Sequence, residues 1–178
     1  MSNIARIQKV SLILYRLCTV TVLLIPLVLA ALWATYEYWA PTHPEITRIP
    51  EAPHTLTPTT RSLAFLVAML QAGIAMFAVW RLRALFGLYA VGRIFTPENT
   101  RCLRHFAAAV LVFALAKPVT GALLSVVLTM NNAPGHRQLT ISFGSSELTT
   151  LFIGCVFLVI AWIMDEAREL AEDQAEIV

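Results

Sequence analysis

LCTVTVLLIPLVLAALWATY, residues 17–36, is a stretch of 20 residues without a single charge. At 1.5 Å per residue, a helix of roughly 20 apolar residues crosses a hydrocarbon core about 30 Å thick. Three further runs have the same character: 62–80, 106–128 (broken only by Lys117) and 148–164. In lipid the backbone must satisfy its own N–H and C=O groups, which leaves helices or a closed barrel. None of the four runs alternates apolar and polar residues as a barrel strand does, so each is predicted to be a helix. The expected fold is an all-α, four-transmembrane-helix bundle.

Composition agrees with this reading. With 58% hydrophobic residues, 13% charged residues and a mean hydropathy of +0.71, a chain of 178 residues has more apolar surface than its own interior can cover. The lipid bilayer is the partner that covers the rest. Four spans and their short connections use residues 1–178 as a single unit with a helical tail at 165–178, and leave no room for a soluble catalytic domain. The first run exceeds the h-region of a signal peptide, about 7–15 residues, and lacks a following small-residue cleavage site. It is expected to remain as an anchor.

Cations fix the expected orientation, because lysine and arginine are retained on the cytoplasmic side of short loops. Arg6, Lys9 and Arg16 precede the first span, and Arg81, Arg83, Arg93, Arg101 and Arg104 lie between the second and third. The outer loops carry only Arg48, Arg61 and Arg137. Both termini are therefore expected in the cytoplasm of a multi-pass inner-membrane protein. A net charge of +2, with its cations beside the bilayer, gives no reason to expect direct nucleic-acid binding. Cys18, Cys102 and Cys155 all lie outside the two outer loops, so packing is expected of them and a disulfide is not.

The connection between spans two and three reads as a helix, a stop and a new start. Leu82, Leu85, Phe86 and Tyr89 continue span two as an amphipathic helix; Gly92 suits the left-handed position that ends it; Thr96-Pro97-Glu98 supplies a cap, a first-turn proline and an acid for the helix dipole. These same residues, Leu85-Phe86, Tyr89, Gly92 and Ile94-Phe95-Thr96-Pro97-Glu98-Asn99 followed by Leu103, resemble the hallmark of the bacterial four-span proteins of domain-of-unknown-function family 2975 (DUF2975). The close of the chain, Glu166-Ala-Arg-Glu-Leu170 and Glu176-Ile-Val178, is similar to that family's short acidic ending, although it lacks the threonine usual there. The resemblance implies no established enzymatic activity and a frequent association with small helix-turn-helix regulators of the phage-repressor type. On that basis Arg93, Phe95, Glu98 and Asn99 are candidate partner contacts. Turn geometry alone is the competing reason for the same residues.

Lys117-Pro118 is the clear exception inside a span. Lys117 lies roughly 17 Å along the helix from Phe106, near the middle of the third run. An ionisable residue there is a functional candidate, and the proline removes a backbone hydrogen bond beside it. The alternative is a lysine that snorkels toward water or pairs with Glu37 or Glu147 at the outer rim. No carboxylate occupies the centre of any span, which weighs against proton-coupled transport.

The outer loops hold His43, His54 and His136, with Glu45 and Glu51 near the first two. Imidazole and carboxylate suit zinc or copper, but the spacing matches no compact ligand motif, so solvated histidines are expected and no metal or other cofactor is assigned. Alternation of Leu139, Ile141 and Phe143 with Gln138, Thr140 and Ser142 suggests a short strand, pairing with residues around Ile46 to Ile49 in a small extracytoplasmic cap. Span four starts at Gly144-Ser145-Ser146-Glu147 and has no breaker up to Glu176, so it is predicted to extend out of the membrane as a charged helix. There Asp165, Glu166, Glu169, Glu172, Asp173 and Glu176 oppose only Arg168. Such an arm could attract a basic regulator; a solvated helix end is the simpler reading.

These features point to a regulatory or interaction protein that sequesters a small cytoplasmic helix-turn-helix regulator. No nucleophile–base pair or phosphate-cradling loop supports an enzyme. The alternative is a small-molecule or ion permease centred on Lys117, with a homo-oligomer as one possible form.

Overall fold

The computed structural model describes residues 3–41, 49, 52–53, 55–94 and 96–176. Among the described residues the regular structure is four long helices and one short one: α1 (Asn3–Ala34), α2 (Tyr36–Trp39), α3 (Pro58–Ala90), α4 (Pro97–Thr129) and α5 (Ser145–Glu176). The four apolar runs lie on the four long helices, each long and apolar enough to cross a membrane. Only 11–17% of the most apolar window of each is buried within the protein, so the remaining surface requires lipid. The chain is a four-span, all-α membrane protein.

α3, α4 and α5 outrun their apolar runs at both ends, and α1 begins well before its own, because nothing stops them. Ser62 is preceded by Thr57 and Pro58, and the helix starts there: the Thr57 side chain accepts a hydrogen bond from the Thr60 N–H (3.3 Å), and proline occupies the first turn. At its other end α3 runs on to Ala90 and closes in a Schellman turn. Gly92, at φ +78°, donates to the Tyr89 carbonyl (3.1 Å) and Arg93 donates to that of Leu88 (3.0 Å). Pro97 opens α4 after an extended Thr96, whose carbonyl accepts from Asn99 (3.0 Å). Pro26 and Pro118 both sit inside helices that continue past them.

Extensive packing joins consecutive long helices: α1 to α3, α3 to α4 and α4 to α5. With lipid as apolar as leucine, close approach of backbones is what holds such helices together. Small residues accordingly occupy the interfaces, with Ala64, Ala107 and Ala161 fully buried. Gly154 of α5 is pressed onto α4, where a Cβ would come within 2.7 Å of Leu111 Cδ2. Toward the α3–α4 turn, a cluster gathers Leu85, Leu103 and Ala161 with Phe106 set edge-on to Phe157. At the opposite end of the helices, another gathers Trp33, Tyr36, Ile49, Leu56 and Leu128. Tyr36 stacks on Trp33 (centroids 5.7 Å apart) and donates its hydroxyl hydrogen to the Pro53 carbonyl (3.1 Å), an aromatic girdle at one membrane edge. On the α1–α3 face, the Arg83 guanidinium lies over the Tyr15 and Trp80 rings and donates to Thr19 Oγ1 (2.8 Å).

The α4–α5 connection departs from the expected strand. Residues 138–143 are extended, yet no strand pairing occurs among the described residues, and positions 46–48 of the expected partner lie outside them. Instead the segment runs down α4, its amides met by helix hydroxyls: Gln138 N–H donates to Thr129 Oγ1 (3.0 Å) and Thr140 N–H to Ser125 Oγ (2.9 Å). Thr129 and Ser125 are one helical turn apart, which matches the two-residue step of the extended chain. Leu139, Ile141 and Phe143 are left exposed.

Candidate functional site

The segment's descent along α4 brings α5 in below the end of α4, and so carries Glu147 toward Lys117. Lys117 Nζ lies 2.6 Å from Glu147 Oε1 and 3.4 Å from Ser146 Oγ. The second oxygen of Glu147 accepts the Gly144 N–H at 2.7 Å, so the carboxylate also caps α5, one half of a capping box. Counting from the Arg104–Asp165 pair at the other end of the same two helices, Lys117 stands about 20 Å up α4 and Glu147 about 27 Å up α5. The lysine therefore climbs along its own stem to meet the acid. Glu37 pairs with Arg61 (2.5 Å).

A second polar group sits one turn away. Gln71 of α3 donates to the Phe113 carbonyl (2.9 Å), beside the Ala114 carbonyl that Pro118 leaves without its usual amide donor. The Thr120 hydroxyl lies 3.1 Å from both Gln71 Oε1 and the Ala116 carbonyl. Between these groups lies a cavity of about 580 Å³ lined by Leu29 of α1, Val67, Ala68, Gln71 and Ala72 of α3, Phe113, Lys117, Thr120, Gly121 and Leu124 of α4, Thr140 and Ser142 of the extended segment, and Glu147 of α5. Lys117 was legible from its charge. Gln71 and Thr120 were not, although Gln71 is the one amide in the second apolar run. Uncharged polar residues raise no alarm in a hydropathy reading, and only packing shows which face they occupy.

The other candidates separate. Arg93 and Glu98 are exposed at the α3–α4 turn, and Phe95 lies outside the described residues. Asn99 is fully buried and donates to the Arg93 carbonyl (2.8 Å), so it braces the turn from within. Glu169 is exposed on α5, while the side chains of Glu172, Asp173 and Glu176 lie outside the described set. His136 is exposed in the α4–α5 connection, and His43 and His54 lie outside the described residues. Among the described residues, no three of His, Cys, Asp or Glu come together as a metal site. Cys18 is buried and Cys102 half-buried, but Cys155 is exposed on the surface of a membrane span, contrary to the packing expected of it.

Fold and site together define a polytopic helical membrane protein with a largely apolar cavity, carrying Lys117, Glu147, Gln71 and Thr120, walled by all four spans. The chain belongs to the family described as "Protein of unknown function (DUF2975)", whose model matches residues 3–178. Neither a curated protein nor a solved structure matches it.

Proposed function

We propose that the chain is an inner-membrane regulatory protein, with both termini in the cytoplasm, that sequesters a small helix-turn-helix regulator. The observation that carries this reading is the course of α5. Its charge-free run ends at Met164, but the helix continues to Glu176. The projecting turns hold Glu169, Glu172, Asp173 and Glu176 against Arg168. An acidic arm beside an anionic leaflet is poorly placed for binding lipid and well placed for meeting a basic protein. DNA-binding domains present basic surfaces to phosphates, so the arm would compete for the surface that DNA needs. The family association with such regulators, read from the α3–α4 turn and the tail, points the same way. A permease centred on Lys117 draws support only from the cavity, where pairing with Glu147 cancels the charge that would attract an ion.

Exchange of Glu169, Glu172, Asp173 and Glu176 for glutamine tests the reading. A phage-repressor-type regulator coexpressed with the full-length protein should lose most of its membrane capture, and capture by the parent should weaken as salt shortens the Debye length from about 10 Å to about 3 Å. Equal capture by the glutamine variant at low salt overturns the acidic arm as the docking element and turns attention to Arg93 and Glu98.

A further inference from the structure

Docking on the cytoplasmic face makes no use of the cavity beside Lys117, yet the cavity is built like a ligand site. Its volume of about 580 Å³ falls within the range of about 300–1,000 Å³ typical of sites for drug-sized molecules. It is also open inside: a Cβ placed on Gly121, which lines it, meets nothing within 4 Å. Its walls include Leu29 of α1 and Glu147 of α5, the first and last long helices, which do not pack extensively on each other, so the cavity has lateral access from lipid between them.

The chemistry of the walls selects the guest. Lys117 and Glu147 pair at 2.6 Å, so a cation meets the exposed ammonium, and for an anion the pull of that ammonium is offset by the carboxylate already seated on it. Hydrogen-bond donors are left over. The ammonium has three N–H groups on a side chain that is 40% exposed, with one bond to Glu147 and a long one to Ser146; the Gln71 amide uses one of its two N–H groups on Phe113. Spare donors in a charge-neutral setting fit an uncharged oxygen acceptor, and the leucine, valine and phenylalanine around them fit a hydrocarbon chain.

We propose that this cavity binds an uncharged, single-chain amphiphile from the membrane leaflet on the α4–α5 loop side. Its oxygen-bearing head sits against Lys117, Gln71 and Thr120, and its tail leaves between α1 and α5.

The test uses the full chain in phosphatidylcholine vesicles and a monoacylglycerol carrying a photoreactive diazirine in its tail, followed by mapping of labelled peptides. Labels should fall on peptides around Leu29, Gln71 and Leu124, should be displaced by unlabelled monoacylglycerol, and should exceed those left by the fatty acid and the primary amine of the same chain. Gly121→Trp, which fills the open space, should abolish cavity labelling. Gly73→Trp, at a second open glycine outside the cavity, should leave it unchanged. Gln71→Leu combined with the near-isosteric Thr120→Val removes head-group partners without adding bulk, and should lower labelling by about tenfold. If Gly121→Trp does not accumulate in the membrane, this double variant decides alone. Equal labelling by the fatty acid, or undiminished labelling in the double variant, overturns the proposal.

Discussion

Lys117 and Glu147 face each other at 2.6 Å from the middle of α4 and the first turn of α5, and they are unequally covered: the ammonium side chain is 40% exposed, the carboxylate side chain 3%. The cation can turn to water on its long stem; the anion cannot. The anion also serves as the cap of α5 through the Gly144 amide, so it belongs to the frame of the bundle as well as to the cavity wall.

This asymmetry predicts unequal variants. Lys117→Met strands a covered carboxylate and should lower the melting temperature in detergent by several degrees, whereas Glu147→Gln keeps an acceptor for Gly144 and frees an ammonium that can reach solvent, a smaller loss. Lys117→Met combined with Glu147→Gln should recover part of the loss of the lysine variant. A double variant no more stable than Lys117→Met alone would show that the pair does not act as a unit.

Orientation yields a second prediction. Arg81, Arg83, Arg93, Arg101 and Arg104 crowd the α3–α4 side, and cations within about 15–20 residues of span ends set topology. Alkaline phosphatase fused in the loop at Gly92 or after Val178 should be inactive, and active when fused near Pro53 or Gly135. A fluorescent protein fused at the same points should give the opposite pattern. Phosphatase activity at Gly92 would invert the protein and remove the cytoplasmic arm from the proposed docking.

The four spans and the α3–α4 turn were readable in the sequence because each rests on a local signal: charge-free length for the helices, and glycine, threonine and proline in order for the turn. The cavity was readable only at Lys117, since a charge in a span is visible without knowing its neighbours. Gln71 and Thr120 acquire meaning from a carbonyl and an amide 42 and 49 positions apart in the chain, a pairing that no spacing rule contains. Residues 138–143 were misread for a related reason. Their alternation is real, with Leu139, Ile141 and Phe143 outward and Thr140 and Ser142 on the cavity. Alternation reports an extended chain, however, and does not say whether a strand or a row of helix hydroxyls will take its amides. Asn99 stood among the candidate contacts because it belongs to the α3–α4 motif, and its side chain closes the turn from within.

That row of hydroxyls supports the last prediction. Ser125 and Thr129 are fully buried and hold the amides of Thr140 and Gln138, the only hydrogen bonds in the described structure that tie those two amides to α4. Each such bond contributes about 0.5–1.5 kcal/mol, and an amide left unpaired beside lipid costs more than the bond is worth. Ser125→Ala with Thr129→Val should therefore release the segment from α4 while leaving the four spans inserted. With the native cysteines Cys18, Cys102 and Cys155 replaced by alanine, a Thr140→Cys probe should react with a membrane-impermeant maleimide about tenfold faster in the released variant than in the parent. Because Thr140 and Ser142 form one wall of the cavity, retention of the monoacylglycerol probe should fall in the same variant. An unchanged labelling rate would mean that packing beneath Leu139 and Phe143, and not the hydroxyl pairing, holds the segment in place.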